Sequence, residues 1–134
     1  MAAARILIIE DDPASLELAE YLLDTAGYAT LTATDGAAGL ALALSTQPDL
    51  VICDLQMPVM TGYEVVRHLH GGPTWRRVPL VAVSAFSMPG DRETALAAGF
   101  DAYLSKPIVP ESFVQEIESL LPPAARVGGT PPLG

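Results

Sequence analysis

Ile6, Leu7, Ile8 and Ile9 form an unbroken apolar run of strand length, and four more strand-length segments follow it. A longer stretch with helical periodicity separates each from the next. An apolar run without alternation marks a strand covered on both faces, as in a parallel sheet between helix layers. The spacing predicts strands over 6–9, 28–33, 49–53, 80–84 and 102–105. The second is the most polar and belongs near an edge. Asp12-Pro13 reads as an N-cap followed by proline in the first helical turn. Leu16, Ala19, Leu23 and Ala26 then share one helical face, which Gly27 ends. Asp35-Gly36 opens a second helix carried by Leu40, Leu42 and Leu44 to about Thr46. A loop with Pro58 and Gly62 leads into a third, 63–70, broken by Gly71-Gly72-Pro73. A fourth, 91–98, stops at Gly99. Pro110 opens the last, which turns Phe113, Val114, Ile117 and Leu121 inward until Pro122-Pro123. Strand followed by helix five times over predicts an α/β fold: a doubly wound, five-stranded parallel sheet with right-handed crossovers and helices on both faces.

In such a sheet, ligands bind beyond the carboxyl ends of the strands, where strand order reverses. The chemistry-bearing residues of this chain fall there. The first strand runs into Glu10-Asp11-Asp12, the third ends at Asp54, the fourth at Ser84, and the fifth runs into the only lysine, Lys106. Acids, a hydroxyl and an ammonium gathered at one sheet edge could hold a divalent metal and accept a phosphoryl group. Crowded carboxylates repel one another, and a hard cation with oxygen ligands relieves that repulsion.

The other candidates have plainer readings. Asp12 is a helix cap. Cys53, the single cysteine, is buried filler and allows no internal disulfide, which suits a reducing compartment. His68 and His70 straddle Leu69, so they do not share a helical face as a metal pair would, and they read as solvated. Trp75, beside Arg76-Arg77, reads as a loop aromatic against the core edge.

A chain of 134 residues is long enough for one domain. Half of it is apolar and 17% is charged, the balance of a globular protein. With a net charge of −9 and no basic stripe, direct nucleic-acid binding is not expected. The N-terminus lacks the basic-then-apolar layout of a signal peptide, and no apolar stretch approaches the ~20 residues of a membrane span. A cytoplasmic location without membrane association is the expectation by elimination.

Four motifs in order now carry a resemblance: Ile-Ile-Glu10-Asp11-Asp12-Pro, Asp54-Leu-Gln-Met-Pro58-x-x-x-Gly62, Val83-Ser84-Ala85 and Tyr103-Leu-Ser-Lys106-Pro107. They are spaced by 30 residues from Asp54 to Ser84 and 22 more to Lys106. From about residue 5 to 121 the chain resembles the receiver domain of two-component response regulators, of the single-domain kind or from hybrid histidine kinases. The resemblance implies a flavodoxin-like strand order 2-1-3-4-5. It implies Asp54 as phosphoacceptor, and Mg²⁺ (with Mn²⁺ able to substitute) held by Asp11, Asp54 and the backbone carbonyl of Gln56. Glu10 would act mainly through bound water. Ser84 is similar to the family's switch hydroxyl, Lys106 to its phosphate-binding lysine, and Lys106-Pro107 to a bond held in cis. Tyr103 is similar to the switch aromatic, which would turn from exposed to buried. Gln56 and Phe86 occupy positions that influence water access, with bulky Phe86 expected to slow hydrolysis.

The partners implied are a histidine kinase or histidine phosphotransfer protein as donor and a downstream protein as target, with a monomer or a phosphorylation-linked dimer. The domain would assist its own phosphorylation and slow dephosphorylation without being an enzyme, signalling through the face made by the fourth helix, fifth strand and last helix. Residues 1–121 would form the receiver and 122–134 a flexible Pro/Gly-rich tail too short for a DNA-binding output. Excision from a longer hybrid kinase stays open. A phosphatase of the haloacid dehalogenase type also uses an aspartyl phosphate, but wants Asp-x-Asp-x-Thr/Val after its first strand. Glu10-Asp11-Asp12-Pro13 does not fit that pattern.

Overall fold

The computed structural model describes residues 4–72, 75, 77–85 and 88–126. Phe86, Arg76 and residues 127–134 lie outside the described residues, and with them the hydrolysis role expected of Phe86 and most of the expected tail. Five strands, β1 (Arg5–Ile9), β2 (Ala29–Ala33), β3 (Leu50–Asp54), β4 (Leu80–Ser84) and β5 (Ala102–Ser105), form one sheet of order β2-β1-β3-β4-β5. Every pairing is parallel. The helices between and after them are α1 (Pro13–Thr25), α2 (Gly36–Thr46), α3 (Gly62–Gly71), α4 (Asp91–Ala98) and α5 (Pro110–Glu118). The expected fold class and strand order are both present.

Side chains alternate along each strand, so one apolar run feeds two cores. Leu7, Ile9, Val51, Cys53, Leu80 and Ala82 face α2, α3 and α4, where Ala43, Val65, Val66, Leu69 and Ala95 meet them. Ile6, Ile8, Leu50, Ile52, Val81 and Val83 face α1 and α5, against Ala19, Leu23, Phe113 and Ile117. Order reverses at β1, which lies between β2 and β3. The crevice of this fold therefore opens where β1 and β3 end.

Several expectations shift at the element ends. Tyr28 precedes β2 instead of starting it; its amide binds Leu23 O and its hydroxyl donates to Glu118, tying α1 to α5. Asp49 precedes β3 and accepts the Arg5 amide at 2.8 Å. Of the α2 leucines, Leu40 and Leu42 are half-buried against the core and Leu44 is exposed; the fully buried positions are Gly36, Gly39 and Ala43. Close approach is the reason: a Cβ at Gly39 would stand 2.5 Å from Ile9 Cδ1. The last helix ends at Glu118, with Leu121 buried beyond it. The expected tail begins with an ordered 3₁₀ turn, Pro123–Ala125, whose Ala125 packs on the α1–α5 core.

His68 and His70 are exposed, as expected, with His70 Nε2 3.3 Å from Gly99 O. Trp75 is buried in the core on the α3–α4 side. Among the described residues, no helix is long and apolar enough to cross a membrane.

Candidate functional site

Each acid reaches the crevice because its strand stops there. Glu10 follows β1 directly and is 5% exposed; its Oε2 accepts the Asp12 amide at 3.1 Å. Asp12 caps α1 as expected, taking the Ser15 amide at 3.1 Å and its hydroxyl at 2.6 Å, so the chain turns sharply and leaves Asp11 exposed between them. Asp54 is the last residue of β3 and is 4% exposed. Its Oδ1 accepts the Gln56 amide at 3.1 Å. Gly62 is required beneath it, because a Cβ there would lie 2.6 Å from Asp54 O.

Glu10, Asp11 and Asp54 each offer a carboxylate oxygen, all within 4.8 Å of one another. Lys106, just past β5, inserts its ammonium among them: Nζ lies 2.8 Å from Glu10 Oε1 and 3.3 Å from Asp54 Oδ2. The Lys106–Pro107 bond is cis, as the resemblance implies.

The electrostatics follow from this crowding. Burial pushes the Asp54 pKa up and the adjoining Glu10 carboxyl pushes it further; the Gln56 amide and the Lys106 charge pull against them. Asp11 is raised by desolvation and by its contact with Asp54. For Lys106, burial works against the charge, but the bond to Glu10 and the Asp54 charge outweigh it and raise its pKa. The Cys53 thiol, buried behind Asp54, is pushed up strongly by desolvation, which keeps it protonated and unreactive. A hard divalent cation fits the acidic group: the donors are all oxygen, they converge, and exposed Asp11 leaves one side open to water.

Of the expected site residues, the structure joins Glu10, Asp11, Asp54 and Lys106 directly. Ser84 ends β4, fully buried, and joins the group through Gln56, whose Oε1 accepts its hydroxyl at 2.7 Å. Tyr103 stands apart, packed in the core with Ala95 and Phe100. It is 8% exposed, so the exposed starting position expected of it is not the one found. Two contacts escaped the sequence reading. Lys106 pairs more closely with Glu10 than with Asp54, and the Gln56 side chain engages Ser84. Only the β3–β4 register, Asp54 opposite Val83, could have hinted at the second.

A doubly wound sheet of this order, with three acids and a lysine in its crevice, is the architecture of a phosphoryl-accepting signalling domain. The chain belongs to the response regulator receiver domain family, whose model matches residues 6–118. It is a receiver domain of two-component signalling, and receiver domains are phosphoacceptors, not enzymes in the usual sense. It is 37% identical over 116 residues to the polar-differentiation response regulator DivK of Brucella anthropi, covering 87% of this chain and 94% of that one. Among solved structures it is similar to the chemotaxis protein CheY4 of Vibrio cholerae, with a TM-score of 0.83 and 30% identity over 90% of this chain and 100% of that one. It is also similar to the receiver domain of a sensor histidine kinase from Pseudomonas aeruginosa, solved with a magnesium ion in its active site cleft. There the TM-score is 0.80 and the identity 31%, over 89% of this chain and 98% of that one.

Proposed function

We propose that Asp54 accepts a phosphoryl group from a phosphohistidine, carried by a histidine kinase or a histidine phosphotransfer protein. A divalent cation would be held by Glu10, Asp11, Asp54 and the backbone carbonyl of Gln56. The observation that carries this reading is the convergence of three carboxylates within 4.8 Å around the one lysine. Magnesium, or manganese in its place, would supply positive charge to the phosphoryl oxygens during transfer.

The chain's own residues do the rest. An Asp54 oxygen attacks phosphorus, a P–O bond forms, and the imidazole leaves with the electron pair of the broken P–N bond. Asp54 must be ionised to attack; the Gln56 amide and Lys106 favour that state against burial. No general base is needed, since the nucleophile carries no proton. Lys106 stays beside the acceptor to balance the transferred charge. Ser84 donates to a phosphoryl oxygen, and Tyr103 and the face made by α4, β5 and α5 respond, presenting a changed surface to a downstream protein. Self-assisted phosphorylation and slow dephosphorylation belong to the same reading, as do a receiver over residues 1–121, a cytoplasmic setting and a monomer or phosphorylation-linked dimer.

Incubation with acetyl phosphate and Mg²⁺, followed by intact mass, tests it. One phosphoryl increment is expected on the wild type and none on Asp54→Asn or in excess chelator. A folded wild type that gains no mass, or an Asp54→Asn variant that gains as much, overturns it.

A further inference from the structure

Of the five helices, α4 is the most lightly held: only Ala95 of its eight residues is fully buried. Its N-cap, Gly90, makes no side-chain capping bond. A run this short does not persist as a helix in water by itself, so packing must place it. Phe100, just past the Gly99 cap, does much of that placing. It is 4% exposed, and its amide returns to Ala95 O at 3.1 Å. Tyr103 belongs to the same apolar cluster as Ala95 and Phe100.

A third ring reaches this cluster from α3. Tyr63 packs half-buried against the same core, its ring edge-on to Phe100 with centroids 6.4 Å apart and planes at 79°. Edge-to-face packing sets the positive rim of one ring against the negative face of the other. Burial raises the Tyr63 pKa, and Asp91 and Tyr103 raise it further, so both stand near its hydroxyl. Tyr63 is itself held in place. The Thr61–Glu64 capping box fixes the first turn of α3. Gly62, one residue before the ring, lies against the acceptor: a Cβ there would stand 2.6 Å from Asp54 O. A displacement of the Asp54 backbone therefore meets α3 one residue from Tyr63.

We propose that Tyr63 is a brace between the acceptor and the signalling face: with Phe100 it supplies one wall of the buried site of Tyr103, and through Gly62 it ties that wall to the Asp54 backbone. Tyr63 touches no reacting atom, so it is a positioning residue. Tyr103 has contacts of its own besides this wall, and losing the wall should loosen the ring without expelling it. The tie rests on the reading of Asp54 as phosphoacceptor; the wall does not.

Labelling with 3-fluorotyrosine gives one ¹⁹F signal for each of the four tyrosines, assigned by substitution. In metal-free protein, the change in the Tyr103 signal between H₂O and D₂O reports its exposure. It should rise in Tyr63→Leu and stay at the wild-type level in Tyr63→Phe, which keeps the ring. Phe100→Leu, which removes the other ring, should raise it as well. Chemical denaturation checks that each variant is folded. No rise in folded Tyr63→Leu, or an equal rise in Tyr63→Phe, overturns the wall.

Beryllofluoride with Mg²⁺, standing in for the phosphoryl group, reads the tie. Its affinity is measured by the bound ¹⁹F signal in unlabelled wild type, Tyr63→Leu, Tyr103→Leu and the double variant. The fold-change caused by Tyr103→Leu should be about threefold smaller in the Tyr63→Leu background, because coupled residues are not additive. Additive effects, or an affinity indifferent to Tyr103, overturn the tie. If folded wild type binds no beryllofluoride, the acceptor reading and the tie fall together, and the wall is judged by the exposure of Tyr103. If wild type binds and the effects add, the tie alone falls.

Discussion

Asp54 keeps a carboxylate in a place where burial and two neighbouring acids oppose its charge, with only Lys106 and one backbone amide in its favour. Its folded pKa is therefore raised above that of the unfolded chain. For an acid the sign is unambiguous: above the raised pKa the folded state carries a penalty, and the penalty disappears as pH falls through that pKa and the folded form takes up its proton. Asp54→Asn should accordingly stabilise the metal-free protein at pH 7, by roughly 1 kcal/mol. The gain should shrink as pH falls below the raised folded pKa of Asp54, and Mg²⁺ should reverse the ranking by stabilising the wild type alone. Urea denaturation in chelator and in Mg²⁺ measures all three. Lys106 stays partnered in the variant, because Glu10 is its nearer acid at 2.8 Å. That pairing was not legible in the sequence. The motif places Lys106 near the acids, but only the fold sets which carboxylate it meets first.

At the scale of the element, the strands and caps were readable because their signals are local. Asp12-Pro13 begins α1 where it should, and each strand ends within a residue or so of its expected end. The loop from β3 to α3 is different. Val59 is fully exposed at φ 70°, a strained value for a β-branched residue, and Thr61 and Glu64 close a capping box that fixes where α3 starts. Gly62 beside them lies against the Asp54 backbone, with no flexible side chain to give way. Gly62→Ala should therefore cost about 1–3 kcal/mol and weaken Mg²⁺ binding by shifting Asp54. Gly71→Ala, at the other end of the same helix with nothing within 4 Å of a new Cβ, should fall within about 0.5 kcal/mol of wild type. Chemical denaturation and Mg²⁺ titration of the pair separate the two. Sequence alone marks both glycines as breakers; the close approach that distinguishes them is a tertiary fact.

At the scale of the whole molecule, one sheet serves two cores, since alternate residues of β1, β3 and β4 belong to opposite layers. The layers should unfold together. Phe113→Ala empties the α1–α5 layer only, and should lower stability by about 3–5 kcal/mol while keeping a single transition. Two resolved transitions in calorimetry would show the layers to be independent. The architecture was legible for the same reason that it is cooperative: continuous apolar strands must be covered on both sides, and a parallel sheet with helices on each face provides that. The α2 leucines were a partial guide: Leu40 and Leu42 pack on the core, but helical periodicity alone cannot show that the helix is brought close through Gly36, Gly39 and Ala43. By itself the sequence determined the fold class, the strand order through its motifs, and which residue types stand at the carboxyl edge, because these depend on period and order along the chain. Tertiary structure decided the close pairing of Lys106 with Glu10, the bond between Gln56 and Ser84, and the burial of Tyr103. Those depend on angles and separations of a few ångströms between segments tens of residues apart, which no local pattern encodes.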